Sequence, residues 1–244
     1  MLIATINHLS NDGVLALVSK INSGLEALAE NNVTPDVLLG PDYSLVTHDA
    51  MSKKRPNTIA EREYVLKNIK RISKYFPQVT LLPGSMFWYK KNHDSEKSDE
   101  TFMSVPVYRS GKLLTELFKE RDNGESEKTK TYAKSIGRDA VYHRGDSRKN
   151  SLTIADQKIA VEICGDHGNQ DVKGVNLELI MAYDNKGGFY VTTANNQWSR
   201  SAVVCNGFDG VSSAIYFDAK TQNFKSLSSK KYKELELFNI LLSQ

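Results

Sequence analysis

Three chemically reactive side chains each follow an apolar run that predicts a buried strand. These residues are Asp42, Lys119 and Cys164. A thiol can attack a carbonyl carbon, a carboxylate can accept the thiol proton, and an ammonium group can stabilise the developing oxyanion. The ammonium group can also lower the thiol pKa from its free value of about 8.5. The three residue types suit acyl transfer through a thioester, although each alone is commonly a packing or surface residue.

Buried strands alternate with amphipathic helices in the first third of the chain. Thr58 and Glu61 have the spacing of a capping box, which predicts the start of a helix. Asp42 directly follows a predicted strand, and the carboxyl ends of strands are where reacting groups gather in α/β proteins. In chain order, the periodicity predicts a strand at 2–6, a helix at 14–28, a strand at 36–39, a helix at 58–76 and a strand at 79–82.

Two hairpins are predicted to deliver the other two reactive residues. Strands at 101–107 and 113–118 flank a turn and lead to Lys119, and strands at 151–155 and 158–163 lead to Cys164. The polar stretch 122–146 predicts a long loop of the functional or mobile kind. No repeat or linker is evident, so the chain is interpreted as one α/β domain, 1–244. Further strands are predicted at 177–182, 189–194 and 213–217.

Composition excludes several classes of protein. The formal net charge is only +3, and the basic clusters lack interleaved aromatic residues, so nucleic acid is not expected as a partner. No apolar run reaches the length of a membrane span, and no secretory signal is evident. The 2 cysteines and 5 histidines lack metal-ligand spacing, so no metal and no cofactor are expected. Few cysteines favour a reducing, cytoplasmic location.

The order and context of these motifs resemble the nitrilase, or carbon-nitrogen hydrolase, superfamily. The resemblance covers most of the chain, and its motifs keep the family's order although each is weak alone. It implies a four-layer αββα sandwich with mixed sheets and a Glu-Lys-Cys triad. The segments that carry it are 2–7, 36–43, 111–119, 142–146, 158–166, 191–195 and 210–215.

The resemblance also implies roles for individual residues. Asp42 would be the general base, Lys119 the oxyanion-stabilising cation and Cys164 the nucleophile, with the Gly165 N–H as a second oxyanion donor. Glu125 lies where many members carry an additional glutamate that positions the lysine or the substrate. An amide of non-peptide type is the expected substrate, since amidases outnumber nitrilases in the superfamily.

Further residues are candidates for the wall of the substrate pocket: His167, Asn195 and Trp198. Ordinary packing or capping is an equally good interpretation of Asn195 and Trp198. His167, three residues after the thiol, also leaves an alternative Cys–His pairing open.

The chain departs from the family pattern at two places. The family base is glutamate, and Asp42 is shorter by one C–C bond of about 1.5 Å. Only five residues separate Tyr183 from Phe189, where the family inserts a loop and a helix. This puts the usual homo-oligomer interface in doubt and suggests a more open pocket. Two alternatives follow: a catalytically degenerate binding protein of this fold, or a bacterial effector, exported by a non-Sec route, that deamidates a host target.

Overall fold

The architecture was obtained from a computed structural model. It describes residues 1–94, 97–167, 175–183, 201–218, 220–221 and 223–242. The predicted strand at 189–194 lies outside these residues. Among the described residues, none of the helices combines the length and the apolar composition that crossing a bilayer requires.

Two mixed β-sheets, six- and nine-stranded in the described part of the chain, share one apolar core. The strand order of the first sheet is β14-β15-β1-β2-β3-β5-β4, with β6 and β7 also paired to β5. Its strands are β1 (Leu2–Ile6), β2 (Val37–Leu39), β3 (Thr80–Leu82), β4 (Met86–Lys90), β5 (Asp99–Arg109), β6 (Lys112–Phe118), β7 (Ala140–Tyr142), β14 (Ser229–Tyr232) and β15 (Leu235–Asn239).

The second sheet has the strand order β13-β12-β11-β10-β9-β8. Strands β9, β10 and β11 run parallel to one another, so their carboxyl ends lie at one edge. Its strands are β8 (Ser151–Ile154), β9 (Gln157–Ile163), β10 (Leu177–Ala182), β11 (Ser201–Asn206), β12 (Ser212–Asp218) and β13 (Asn223–Ser226).

Four α-helices accompany the described strands: α1 (Gly13–Glu30), α2 (His48–Ser52), α3 (Ile59–Tyr75) and α4 (Glu125–Ser135). Helices α1 and α3 contact each other and pack on the first sheet. The predicted capping box is confirmed, because the Thr58 side chain accepts from the Glu61 N–H while the Glu61 carboxylate accepts from the Thr58 N–H. The α/β architecture with mixed sheets predicted from the sequence is confirmed.

The prediction of a continuous loop over 122–146 is wrong. This stretch contains helix α4 and strand β7. The buried face of α4 consists of Glu125, Thr129 and Ala133, which recur every four residues but are polar or small. A search for apolar periodicity therefore does not detect this helix.

Candidate active site

Four of the residues singled out in the sequence line a single cavity of about 540 Å³. Asp42 follows β2 and Cys164 follows β9, whereas Lys119 follows β6 and Glu125 opens α4. The cavity thus lies where strand ends of both sheets meet. Charged groups and a thiol from four separate parts of the chain converge on it.

Asp42 is completely buried, and its two carboxyl oxygens have different surroundings. The Ser85 hydroxyl donates a hydrogen bond to Oδ1. Oδ2 is buried and has no hydrogen-bond partner within the described ranges. Burial raises the pKa of Asp42, against the opposing effects of the Lys119 charge and the Ser85 hydrogen bond. One oxygen is therefore fixed while the other remains available to accept a proton.

The backbone around Asp42 is tied to several other segments. Its N–H donates to the carbonyl of Ala182 at the end of β10 (3.3 Å), and its own carbonyl accepts from the Ser10 hydroxyl (2.6 Å). The next residue, Tyr43, has a left-handed φ of 59°, which is costly for a non-glycine residue, and its N–H donates to Ser85 Oγ at 2.8 Å. These contacts hold Asp42 against the carboxyl ends of the second sheet.

A close approach of two loops places Ser85 at this site. A Cβ at Gly84, which has a φ of +120°, would lie 1.7 Å from the Ser44 side-chain oxygen and 2.4 Å from the Pro41 carbonyl oxygen. Only glycine fits there without displacing the chain that leads to Asp42. The loop after β3 thereby brings Ser85 next to the residue that follows β2.

Lys119 and Glu125 form a fully buried ion pair with an Nζ–Oε1 distance of 2.8 Å. Glu125 Oε1 also accepts from the Tyr43 hydroxyl (2.7 Å), while Oε2 accepts from the Asn123 N–H (2.5 Å). Burial alone would lower the pKa of Lys119, but Asp42, Glu125 and Cys164 raise it on balance. Burial alone would raise the pKa of Glu125, but Lys119 and the hydrogen bonds hold it below its usual value. Both groups are charged at neutral pH.

Cys164 begins a short 3-10 helix, Cys164–Asp166, directly after β9. Its φ of 48° is left-handed, a strained conformation that persists only where surrounding structure enforces it. Burial and the Asp42 carboxylate raise the pKa of the thiol to about 12, while Lys119 acts in the opposite direction. Lys119 thus lowers the thiol pKa as the sequence predicts, but the net shift is upward and the resting thiol is neutral.

Gly165 lies in the first turn of this 3-10 helix, where a backbone N–H has no intrahelical acceptor. A Cβ at this position would lie 2.2 Å from the side-chain nitrogen of Asn123. The absence of a side chain at Gly165 therefore lets Asn123, which also lines the cavity, pack directly beside the thiol loop.

Asp166 ties the thiol loop to the segment that carries Lys119. Its carboxyl oxygens accept from the backbone N–H groups of Glu120 (3.0 Å) and Arg121 (2.7 Å). Burial raises the pKa of Asp166 to about 6. These contacts position the backbone after β6 relative to the 3-10 helix.

His167 does not line the cavity. Its Nδ1 contacts the carboxylate of Glu162, and both residues lie close to Glu178 on the adjacent strand. The potential ligand atoms of these three residues lie within 4.8 Å of one another, and carboxylate and imidazole are donors that several divalent cations accept. The other two predicted pocket residues, Asn195 and Trp198, lie outside the described residues.

Sequence reasoning also missed other residues of the site, among them Tyr43, Ser85 and Lys128. Tyr43 and Ser85 follow strands β2 and β3, so the rule that found Asp42 could have included them. Lys128 lies one helical turn after Glu125, and its Nζ donates to the Tyr43 hydroxyl at 3.0 Å. No sequence signal distinguishes it from the other lysines of α4.

No protein-family model matches the sequence, and no curated protein matches it. Solved structures match it in fold over nearly its whole length. The NitN amidase from Nesterenkonia sp. AN1 superposes with a TM-score of 0.66 at 13% identity, covering 99% of this chain and 93% of the amidase. A carbon-nitrogen hydrolase from Helicobacter pylori G27 gives a TM-score of 0.58 at 13% identity, covering 98% of this chain and 88% of the hydrolase.

A C-to-A variant of the Nesterenkonia AN1 amidase, described as an enzyme of the nitrilase superfamily, superposes with a TM-score of 0.63 at 11% identity. That match covers 98% of this chain and 90% of the amidase. An E-to-L variant of the Nesterenkonia amidase has also been solved with the acetamide moiety of fluoroacetamide covalently added at its active-site cysteine. The present chain therefore has the α/β fold with two mixed sheets found in these amidases, as its sequence motifs predict.

Proposed function

We propose that this chain, which has the fold of the nitrilase-superfamily amidases, is a cysteine-dependent hydrolase of non-peptide amide bonds. In this proposal Cys164 is the nucleophile and Asp42 the general base and acid. Lys119 and the Gly165 N–H stabilise the oxyanion. Glu125 is a positioning residue, since it holds the Lys119 ammonium group by a buried ion pair.

The observation that carries the proposal is the state of Asp42 Oδ2. A buried carboxylate oxygen without a hydrogen-bond partner is unfavourable, and a catalytic role is one physical reason for keeping such a group. Asp42 is close enough to Cys164 to raise the pKa of its thiol, and Lys119 affects both groups. This is the arrangement that a thiol needs when it is neutral at rest and loses its proton only as it attacks.

The contacts of the Asp42 backbone support a working base despite its short side chain. The hydrogen bonds from Asp42 to Ala182 and from Ser10 to Asp42 hold the residue against the strand ends from which Cys164 emerges. A shorter carboxylate can serve when the backbone itself is close to the thiol. These contacts favour a working base over the degenerate-site alternative.

The reaction proceeds in two balanced stages. In acylation, Asp42 accepts the Cys164 proton while the sulfur bonds to the amide carbonyl carbon, and the oxyanion is held by Lys119 and the Gly165 N–H. The C–N bond then breaks, and Asp42 returns the proton to the departing ammonia or amine. In deacylation, Asp42 accepts a proton from water, whose oxygen attacks the thioester. Collapse of that intermediate releases the carboxylic acid and returns the proton to the thiolate.

Ammonia release from a panel of primary amides tests this function. The panel comprises acetamide, butyramide, succinamate and glutaramate, and each is assayed with the wild type and with Cys164→Ala. We expect release by the wild type and a loss of about 10³-fold or more in the variant. Cys205→Ala is the matched control, because Cys205 is the second free cysteine and lies buried away from the cavity.

Acid quenching during turnover, followed by intact-mass measurement, should detect the thioester on Cys164. Nitriles are assayed in parallel, and the amides are expected to be the better substrates. If the wild type and Cys164→Ala were equally inactive and still bound an amide, the chain would be a binding protein and the enzymatic proposal would be wrong.

A further inference from the structure

The lining of the cavity also includes cations and apolar side chains. The cations are Lys54, Arg55 and Lys128, and the apolar side chains include Val46, Met51 and Phe87. Lys128 is connected to the Lys119–Glu125 pair through the Tyr43 hydroxyl, and the proposed reaction assigns no step to any of the three cations. Their charges are therefore available to recognise the rest of the substrate.

These lining cations are not neutralised equally. Arg55 is engaged by two carboxylates, those of Asp49 (2.5 Å) and Glu61 (2.8 Å). Neither Lys54 nor Lys128 has a carboxylate within 4 Å among the described residues. Lys119 is already paired with Glu125 inside the cavity. The cavity lining thus keeps two positive charges that no carboxylate among the described residues balances.

Lys128 is better positioned than Lys54 to bind a ligand in the cavity. It is half-buried, its Nζ donates to the Tyr43 hydroxyl at 3.0 Å, and it lies 4.5 Å from the centre of the Tyr43 ring. An ammonium group has three donors, so donors remain for a ligand. Lys54 is exposed and would contribute a weaker, more screened attraction from the rim.

On this basis, and resting on the proposed amidase function, we propose that Lys128 and Lys54 form a subsite for a carboxylate of the substrate. The substrate would then be a monoamide of a short dicarboxylic acid, whose amide end reacts at Cys164. A single half-buried ammonium group matches a singly charged carboxylate, and an ionic hydrogen bond of this type is stronger than a neutral one.

The spacing limits the length of that substrate. Lys119 Nζ, Glu125 Oε1, the Tyr43 hydroxyl and Lys128 Nζ are joined by hydrogen bonds of 2.8, 2.7 and 3.0 Å. The straight-line distance between the two ammonium nitrogens is therefore less than about 9 Å, because it cannot be longer than the three hydrogen bonds laid end to end. A spacer of two to four methylene groups can connect an amide carbonyl near Lys119 with a carboxylate near Lys128.

The test compares each anionic amide with a neutral amide of the same heavy-atom skeleton. The pairs are succinamate with 4-methylpentanamide, glutaramate with 5-methylhexanamide, and adipamate with 6-methylheptanamide. We expect the wild type to favour at least one anion by about tenfold or more in kcat/KM, mostly through KM, and to lose preference as salt rises. Lys128→Met should remove most of this preference for the anionic amide. Lys54→Met should remove a smaller part of it, and Lys128→Arg should retain it.

Two further variants make the result specific. Lys128→Glu should reverse the preference towards a cationic amide such as 4-aminobutanamide. Lys130→Met is the matched control, because Lys130 is on the same helix, is exposed and does not line this cavity, and the ratio should remain that of the wild type.

The outcomes separate this inference from the proposed function. Hydrolysis of the neutral amides with no anionic preference, or a preference that survives Lys128→Met, would overturn the carboxylate subsite and leave the amidase function intact. If no amide is hydrolysed, the amidase function fails, and calorimetry with glutarate and the Cys164→Ala protein still tests the subsite. Binding that Lys128→Met weakens by about tenfold would support the subsite, and no binding would overturn it.

Discussion

The two sides of the cavity hold their charged groups in opposite ways. On one side, Lys119 and Glu125 are completely buried, and Glu125 accepts three hydrogen bonds that employ both of its oxygens. On the other side, Asp42 is equally buried but has only one oxygen bonded. Its neighbour Cys164 combines a left-handed backbone with a raised thiol pKa.

In the proposed hydrolase, this difference corresponds to two separate tasks of the site. A group that stabilises charge in the transition state must not reorganise, which requires saturated, preorganised contacts. A group that transfers protons must keep a position free and must be able to change its charge. The lysine side satisfies the first requirement and the Asp42 side the second, and each substitution below should affect stability and activity differently on the two sides.

Asp42→Asn should separate activity from stability most strongly. Without the base, kcat for amide hydrolysis should fall by about 10²- to 10⁴-fold. Burial raises the pKa of Asp42, so ionising it costs the folded state stability as pH rises through that pKa. The variant should therefore unfold at the same or a higher denaturant concentration than the wild type, with the difference increasing with pH. Steady-state ammonia assays and denaturation at several pH values measure both effects.

The Ser85 hydroxyl, which contacts Asp42, provides the control for the Asp42→Asn experiment. Ser85→Ala removes the bond to Asp42 Oδ1 and the acceptor for the Tyr43 N–H, but it leaves the carboxylate in place. Its kcat should fall much less than that of Asp42→Asn. A marked loss of stability in Asp42→Asn would show that this carboxylate is a structural group and would remove the contrast.

Lys119→Met should damage both activity and stability. Removing one partner of a buried ion pair leaves the other charge uncompensated, which typically costs about 3–5 kcal/mol of folding free energy. The loss of an oxyanion-stabilising group should lower kcat by about 10²- to 10³-fold. Equilibrium unfolding and ammonia release are again the measurements.

A double substitution distinguishes the two effects of this change. Lys119→Met with Glu125→Gln removes the uncompensated carboxylate and should recover much of the lost stability, yet it should not recover activity. Recovery of both would mean that Lys119 serves only to neutralise Glu125.

The sequence was sufficient to single out three residues that line one cavity, but not to predict their contacts. Asp42, Lys119 and Cys164 each follow a strand, and strand ends can be recognised from the hydrophobic pattern. The unpartnered oxygen of Asp42 could not be foreseen, because it depends on which loops approach one another in the folded chain. Lys128 was missed for the same reason.

Strand β11, Ser201–Asn206, shows a different limit of sequence reasoning. Only four apolar residues lie between its polar ends, and no strand is predicted there from the sequence. It became a central strand because β10 and β12 pair with it on either side. Pairing of this kind is decided by tertiary structure rather than by local propensity.

The pH dependence of Cys164 alkylation should show whether the Asp42 carboxylate raises the pKa of this thiol. Burial and the Asp42 carboxylate raise the thiol pKa to about 12, so the rate of alkylation by iodoacetamide should still be rising at pH 10 in the wild type. In Asp42→Asn the charge is removed, the thiol pKa falls, and the rate should level off at a lower pH. Cys205 is completely buried, so mass spectrometry should find the label on Cys164. An unchanged profile would show that Asp42 does not act on this thiol.

Tyr43→Phe should have the smallest effect and tests the redundancy of the lysine side. The substitution removes one of three hydrogen bonds to Glu125, which should cost about 1.5–3 kcal/mol for a bond to a charged group, while Lys119 and the Asn123 N–H still hold the carboxylate. Tyr75→Phe, at a largely exposed tyrosine, is the matched control and should leave both stability and activity unchanged. Because the ion pair persists, kcat for a neutral amide should fall by less than about tenfold. If Tyr43→Phe lowered kcat as much as Lys119→Met, the ammonium group would depend on a single phenol for its position. The two sides of the cavity would then differ in composition but not in how firmly they are held.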